Sequence, residues 1–187
     1  MIDTLCDEIG RSREENLIIA CFYFDFKARE EQSAANVLGA LLKQVVRGFD
    51  PIPQEIMEVF QRRSGWKLQP HEIVKLLGRL SSLRPTFFCL DALDESTETD
   101  RAKILSSLKD VINIAPKTRV FLTGRPHVRA EVERHLPGAV VVSISPRRGD
   151  IVQFILKKLE DKDETPDEMN EQLKADILEY LKPFTKM

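Results

Sequence analysis

The 187-residue chain has no apolar run near the roughly 20 residues that span a bilayer; its longest, Leu17–Phe24 and Gly138–Ile144, are far shorter. A membrane crossing is therefore not expected. The first ten residues, Met1 to Gly10, carry acids early and lack the basic start and apolar stretch of a secretory leader, so a cytoplasmic location is expected. Cysteine is scarce. Cys6, Cys21 and Cys89 are odd in number and widely spaced, which suits neither a disulfide framework nor a zinc site, and they read as reduced core thiols. His71, His127 and His135 show no metal-ligand spacing with them. Glycine and proline are also few, 8 and 10, which together with 42% hydrophobic and 31% charged residues excludes collagen, low-complexity and disordered chains. An excess of either charge is missing too. The 28 Lys and Arg against 30 Asp and Glu leave a net of −2, which argues against a dedicated nucleic-acid binder.

What is present is enough apolar material for one core. Four short runs, Leu17–Asp25, Thr86–Leu90, Arg119–Thr123 and Ala139–Ile144, are apolar, rich in β-branched or aromatic residues, and too short for helices. Their apolar character is nearly continuous, as in parallel strands covered by helices on both faces. Helical spacing separates them. Gln32–Arg47, with Ser33 as N-cap, is followed by Gln54–Arg63 after Pro53, then by Pro70–Ser82, Thr99–Asn113 and His127–His135. The alternation predicts an α/β fold with the first two strands parallel.

Charge is distributed unevenly. Lys117–Arg148 holds 7 Lys or Arg and 2 Glu, a net of +5, with Arg125, Arg129 and Arg134 near the end of the third strand, where an open α/β sheet binds its ligand. This is a solvated face or a surface that meets phosphate. A weaker third reading, nucleic-acid binding through the same segment, would show as salt-dependent affinity. Lys157–Lys182 has 9 acids and 5 bases, a net of −4, in two helical patterns broken near Thr165-Pro166, and reads as the start of a helical subdomain.

The informative stretch is Pro85-Thr-Phe-Phe-Cys-Leu-Asp91-Ala-Leu-Asp94-Glu95. An apolar strand ending on Asp91 brings a carboxylate to the sheet rim, where it can hold, through water, an Mg²⁺ that bridges nucleotide phosphates. Asp94 or Glu95, just beyond, can orient a water that attacks a γ-phosphate. One unit later, Val120-Phe-Leu-Thr123-Gly-Arg125-Pro126 places a guanidinium beside the same rim. Asp25 also ends a strand and could support a metal from behind its ligands, but a helix-capping or loop role suits it better. Trp66 reads as a packing residue, and the apolar context of Cys89 argues against a reactive thiol.

At these residues the chain resembles the NACHT class of STAND signalling NTPases, most closely its fungal and nephrocystin-like branch. The matching pieces are Phe22-Tyr-Phe-Asp-Phe26, the Ser33–Val46 helix, Asp91-Ala-Leu-Asp-Glu95 and Thr123-Gly-Arg-Pro126, within a likeness running from about Asp3 to Tyr180. The resemblance implies a P-loop NTPase-like parallel sheet sandwiched by helices, with ATP or GTP and Mg²⁺ as ligands. Asp91 is then the Mg²⁺ ligand, Asp94 and Glu95 serve hydrolysis, Thr123 lies at the nucleotide, and Arg125 is a sensor. The family usually has Ser where Gly124 stands. It also implies flanking effector and repeat sensor domains, and a homo-oligomer on activation.

One departure is large. The family's P-loop, G-x-x-x-x-G-K-[ST], does not occur in these 187 residues, and Asp3–Arg11 resembles the later part of the helix that should follow it. By the family's strand order 5-1-4-3-2 the central first strand is then missing, so the third and fourth strands read here should flank a vacant position with unpaired backbone groups on both. The expectation is a partial nucleotide-switch core over 1–146 and the beginning of a helical subdomain over 147–187, from a truncated or mis-assembled gene product that is not a self-sufficient enzyme. The alternative is a non-catalytic α/β scaffold or interaction module derived from that fold.

Overall fold

A computed structural model describes residues 17–61, 68–145, 147–160 and 171–185. The Asp3–Arg11 helix, Cys6, Trp66 and the break near Thr165-Pro166 lie outside the described residues. The chain divides into two compact units, Met1–Ala139 and Val140–Met187.

In the first unit, three strands form a parallel sheet in the order β1-β2-β3: β1 is Ile18–Tyr23, β2 is Thr86–Asp91 and β3 is Arg119–Leu122. Tyr23 pairs with Asp91 in one ladder and Leu90 with Leu122 in the other, so all three strands end at one rim. The elements between them are α1 (Ala34–Arg47), α2 (Gln54–Gln61), α3 (Pro70–Leu83), α4 (Glu98–Ile114) and α5 (Arg129–His135). The fold expected from the sequence, an α/β parallel sheet flanked by helices, is the fold observed.

Local chemistry sets these boundaries. Ser33 caps α1 by accepting the Asn36 N–H, Thr97 caps α4 by accepting the Asp100 N–H, and Pro70 opens α3, where its missing N–H costs nothing. Val37, Leu38, Leu41 and Val45 of α1, Leu77 and Leu80 of α3, and Ile104, Leu105 and Leu108 of α4 are fully buried against Phe88 and Leu90 of β2 and their neighbours. Each such side chain contributes about 1.5–3 kcal/mol of burial. Helices α3 and α4 approach closely at Gly78, where a Cβ would lie 2.7 Å from Ile114.

The outer edge of β1 is tied to α1 at Cys21. Gln44 of α1 accepts the Cys21 N–H at 2.9 Å and donates to the Cys21 carbonyl at 2.8 Å, taking the place of a neighbouring strand. Asp25 does not belong to the strand. It caps the pair of short helical turns Phe26–Glu31, kinked at Ala28, by accepting the Lys27 N–H, which is the capping role expected of it.

The fourth expected strand is a correction: Ala139–Ile144 forms no strand. Val140, Val142 and Ile144 are 91%, 74% and 70% exposed. A strand exists only through its ladder, and apolar, β-branched composition cannot supply a partner for its N–H and C=O groups.

In the second unit, α6 (Arg148–Glu160) and α7 (Glu171–Thr185) pack against each other, and Val152 and Leu159 of α6 are buried. No described helix is long and apolar enough to cross a membrane.

Candidate functional site

The carboxyl ends of β2 and β3 bring four of the five candidate residues together. Asp91 is the last residue of β2, and Thr123 follows β3. The Thr123 hydroxyl donates to Asp91 Oδ1 at 2.5 Å and accepts the Ala92 N–H at 2.9 Å. Ala92 has φ +55°, the left-handed region that few residues other than glycine occupy. This turn swings the chain so that Leu93 N–H reaches the Thr123 carbonyl at 2.9 Å, and the next residues, Leu93–Glu95, wind into one helical turn. A left-handed alanine held by two such bonds is local strain of the kind that collects at binding sites.

Asp94, on that turn, faces the loop after β3. Its Oδ1 accepts the Arg125 N–H at 3.1 Å and its Oδ2 lies 3.4 Å from Arg125 Nε. The carboxylate is 8% exposed and the guanidinium 76%, so the arginine is anchored at its backbone and Nε with its outer face in solvent. Gly124 fits tightly between them, since a Cβ there would lie 3.0 Å from Val128 and 3.5 Å from Asp94 Oδ1.

Glu95 points elsewhere. Its Oε2 accepts the Phe26 N–H at 2.9 Å, tying the acidic turn to the loop after β1. Gln32 holds that loop in turn, with both amide groups on the backbone of Asp25. Behind the turn, the Ser96 carbonyl accepts from Arg29 Nη2 at 3.0 Å and from Arg101 Nη1 at 3.2 Å. Arg101 also donates to Glu131 of α5 at 2.6 Å, in a pair only 10% and 17% exposed. Two guanidiniums against one carbonyl fix the turn that carries Asp94 and Glu95, and place positive charge behind two carboxylates.

The other basic candidates are not gathered at the rim. Arg129 pairs with Glu133 on its own helix at 2.8 Å, and Arg134 is exposed on α5. Among the described residues no group of three or more His, Cys, Asp and Glu is close enough to hold a metal. The donor set does fit Mg²⁺ in one respect: with Thr123 on Asp91 Oδ1, the other carboxylate oxygen has no hydrogen bond to a described residue. Mg²⁺ typically takes one or two carboxylates and completes its shell with water and substrate phosphates.

Ala92, Gln44, Gln32, Ser96 and Arg29 are the contributors that the sequence reading missed. The Thr97-Glu-Thr-Asp100 spacing was the one legible signal nearby, being the pattern of a helix capping box.

Residues 1–125, two thirds of the chain, match the family described as nephrocystin 3, N-terminal. The chain belongs to the nephrocystin 3 N-terminal family. The match contains all three described strands and all five candidate residues, and it ends at Arg125. A search of the curated proteins finds no match.

Proposed function

We propose that the first unit is part of the nucleotide-binding and hydrolysing switch core of a NACHT-type STAND signalling protein, and that it is not competent alone. The observation that carries this reading is the convergence of Asp91, Thr123, Asp94 and Arg125 at the carboxyl rim of a parallel sheet, the edge where open α/β sheets bind ligands. In this reading, Mg²⁺ bound with ATP or GTP neutralises phosphate charge at the rim. Asp91 holds the ion through water, with Thr123 fixing which carboxylate oxygen faces it. Arg125 turns its exposed guanidinium to the γ-phosphate, and Asp94 sets its position. Asp94 and Glu95 are the two candidates for orienting the attacking water, and Asp94 must release Arg125 to do so. Glu95 must first release the Phe26 N–H, so its carboxylate couples the rim to the β1 loop.

The phosphate grip that a P-loop supplies has no counterpart in the sequence, and the proposal assigns it to a segment outside these residues. Two measurements test this. Titration of the chain with ATP and Mg²⁺ should show weak binding, and tight, Mg²⁺-dependent binding would refute the claim that it is incompetent alone. In a version extended upstream by a P-loop, Asp91→Ala should abolish hydrolysis; unchanged hydrolysis removes Asp91 from its role.

The second reading, a non-catalytic scaffold or interaction module, is favoured by one observation: Asp94 and Glu95 both spend their carboxylates on internal bonds. Loss of folding stability, with no change in hydrolysis, on substituting either acid in the extended protein would select it.

A further inference from the structure

Two of the three cysteines meet across the first two strands. The ladder sets Cys21 of β1 in register with Cys89 of β2, and both stand as thiols. Ala20 and Phe88, the pair just before them, are fully buried in the core, so the alternation of a strand puts both cysteines on the opposite face of the sheet, with Phe87 and Phe121 beside Cys89. A slip of one residue in either strand would part them. The register is held: the ladder runs unbroken from Ile18 to Tyr23, and Gln44 grips the Cys21 backbone from the other side.

Neighbouring strands lie about 4.8 Å apart, and disulfides join Cα atoms about 4.4–6.8 Å apart, so the pair is within bonding range. Side chains in register on one face stand nearly parallel, which keeps their Cβ atoms near the strand spacing, whereas a relaxed disulfide holds them at about 3.8 Å. A bond here must draw the strands together by on the order of 1 Å against the ladder. Strain of that kind makes a disulfide easy to reduce.

The two thiols differ in access. Cys21 is half-buried and Cys89 is 5% exposed, so an oxidant meets Cys21 first. Cys89 needs no access of its own, because its partner already lies beside it and the second step is intramolecular. That order fits the apolar setting of Cys89, which disfavours it as the first nucleophile.

We propose that Cys21 and Cys89 form a redox site that takes hydrogen peroxide as oxidant and holds the oxidation as a reversible cross-strand disulfide. Cys21 Sγ, as the thiolate, attacks the peroxide: an S–O bond forms, the O–O bond breaks, and hydroxide leaves and is protonated to water. Cys89 Sγ then attacks Cys21 Sγ; the S–S bond forms, the S–O bond breaks, and the hydroxyl leaves as water with the proton of the Cys89 thiol. Two thiols are oxidised to one disulfide and the peroxide is reduced to two waters. A thiol such as glutathione reverses the change by exchange. The inference is independent of whether the rim binds nucleotide.

The test uses the whole chain carrying Cys6→Ser, which leaves these two thiols alone. After treatment with hydrogen peroxide, the denatured protein should lose both thiols to titration and gain no oxygen by mass. It should remain a single chain on a non-reducing gel, and proteolysis should yield one linked pair of peptides holding Cys21 and Cys89. Glutathione, which leaves relaxed structural disulfides intact, should restore both thiols. Adding Cys89→Ser should stop the reaction at a sulfenic acid on Cys21, captured by dimedone, and Cys21→Ser should leave Cys89 a thiol at the same peroxide dose. The wild type, mapped in the same way, should give the same linked pair, so the result does not depend on any variant folding.

Survival of both thiols overturns the proposal. So does a bond to a second chain, oxygen added without a linked pair, or a linked pair that glutathione does not reduce. Dimedone found on Cys89 in place of Cys21 overturns the order of the steps.

Discussion

Thr123 and Asp91 meet across the ends of β3 and β2 at 2.5 Å, and the same hydroxyl accepts the N–H of the left-handed Ala92. One oxygen therefore orients the carboxylate and holds the turn that follows it. Thr123→Val keeps the shape and removes both bonds. A hydrogen bond to a charged group is worth about 1.5–3 kcal/mol and a neutral one about 1, and part of each is regained from water here, so a loss of about 2 kcal/mol is expected. Thr123→Ser should retain most of the stability. Urea unfolding midpoints compare the three proteins, and a Val variant as stable as the wild type would show the hydroxyl to be dispensable.

Asp100 ties two helix starts together. Its Oδ1 accepts the Ala34 N–H at the start of α1, and its Oδ2 accepts the Thr97 hydroxyl at the start of α4. The Ala34 amide is the main reason its carboxyl titrates below the usual 3.8, with Thr97 and Lys103 adding to it against the opposing effect of burial. A carboxyl depressed in the folded state contributes stability above its unfolded value and loses it as pH falls through the folded one. Asp100→Asn should therefore cost on the order of 1 kcal/mol at neutral pH, and the difference from wild type should shrink below about pH 4. Unfolding midpoints measured from neutral to acid pH give the comparison; a difference that grows on acidification would contradict the assignment.

How far these relationships were readable follows from their range. The three strands of the sheet were legible as apolar runs, and α1 as a periodic pattern with Ser33 at its head, because those signals are local. That Asp91, Asp94, Thr123 and Arg125 share one rim was legible from strand ends, but the Asp91–Thr123 and Asp94–Arg125 contacts were not, because they depend on how two loops fold over it. Glu95 shows the limit of range: nothing near it in sequence indicates that Phe26, 69 residues earlier, lands with its N–H against the carboxylate. Gln44 looks like any polar residue on a helix until β1 lies beside it. The run at 139–144 has the composition of a strand, but whether a strand forms depends on a neighbour that the segment does not encode.

Arg101 and Glu131 link α4 to α5 in a pair nearly hidden from solvent. Removing one partner of such a pair leaves the other charge desolvated, at a cost of about 3–5 kcal/mol when fully buried. Glu131→Ala should lose about 3 kcal/mol, somewhat less than the full value because both groups keep some exposure. Replacing both residues, Arg101→Met with Glu131→Leu, should restore much of that loss, since Ser96 still has Arg29 as a donor. A double-mutant cycle in urea reports the coupling, and additive losses would show that the two charges do not depend on each other.

Gly78 makes a prediction of unusual sign. In an exposed helix interior, Gly→Ala stabilises by roughly 1 kcal/mol. Gly78 sits inside α3, where the new Cβ would be 2.7 Å from Ile114 Cγ2 and 2.8 Å from its Cβ and Cδ1, far inside contact distance. Overpacking of this kind costs about 1–3 kcal/mol. Gly78→Ala should therefore destabilise despite its better helix propensity. Ile114→Gly, at the half-exposed last residue of α4, removes all three of those atoms, and in its background the helical advantage of alanine at 78 should reappear. The measurement is the change in unfolding midpoint for Gly78→Ala without and with Ile114→Gly: destabilising in the first case and stabilising in the second. A gain in both would mean that α3 and α4 do not approach each other through Gly78.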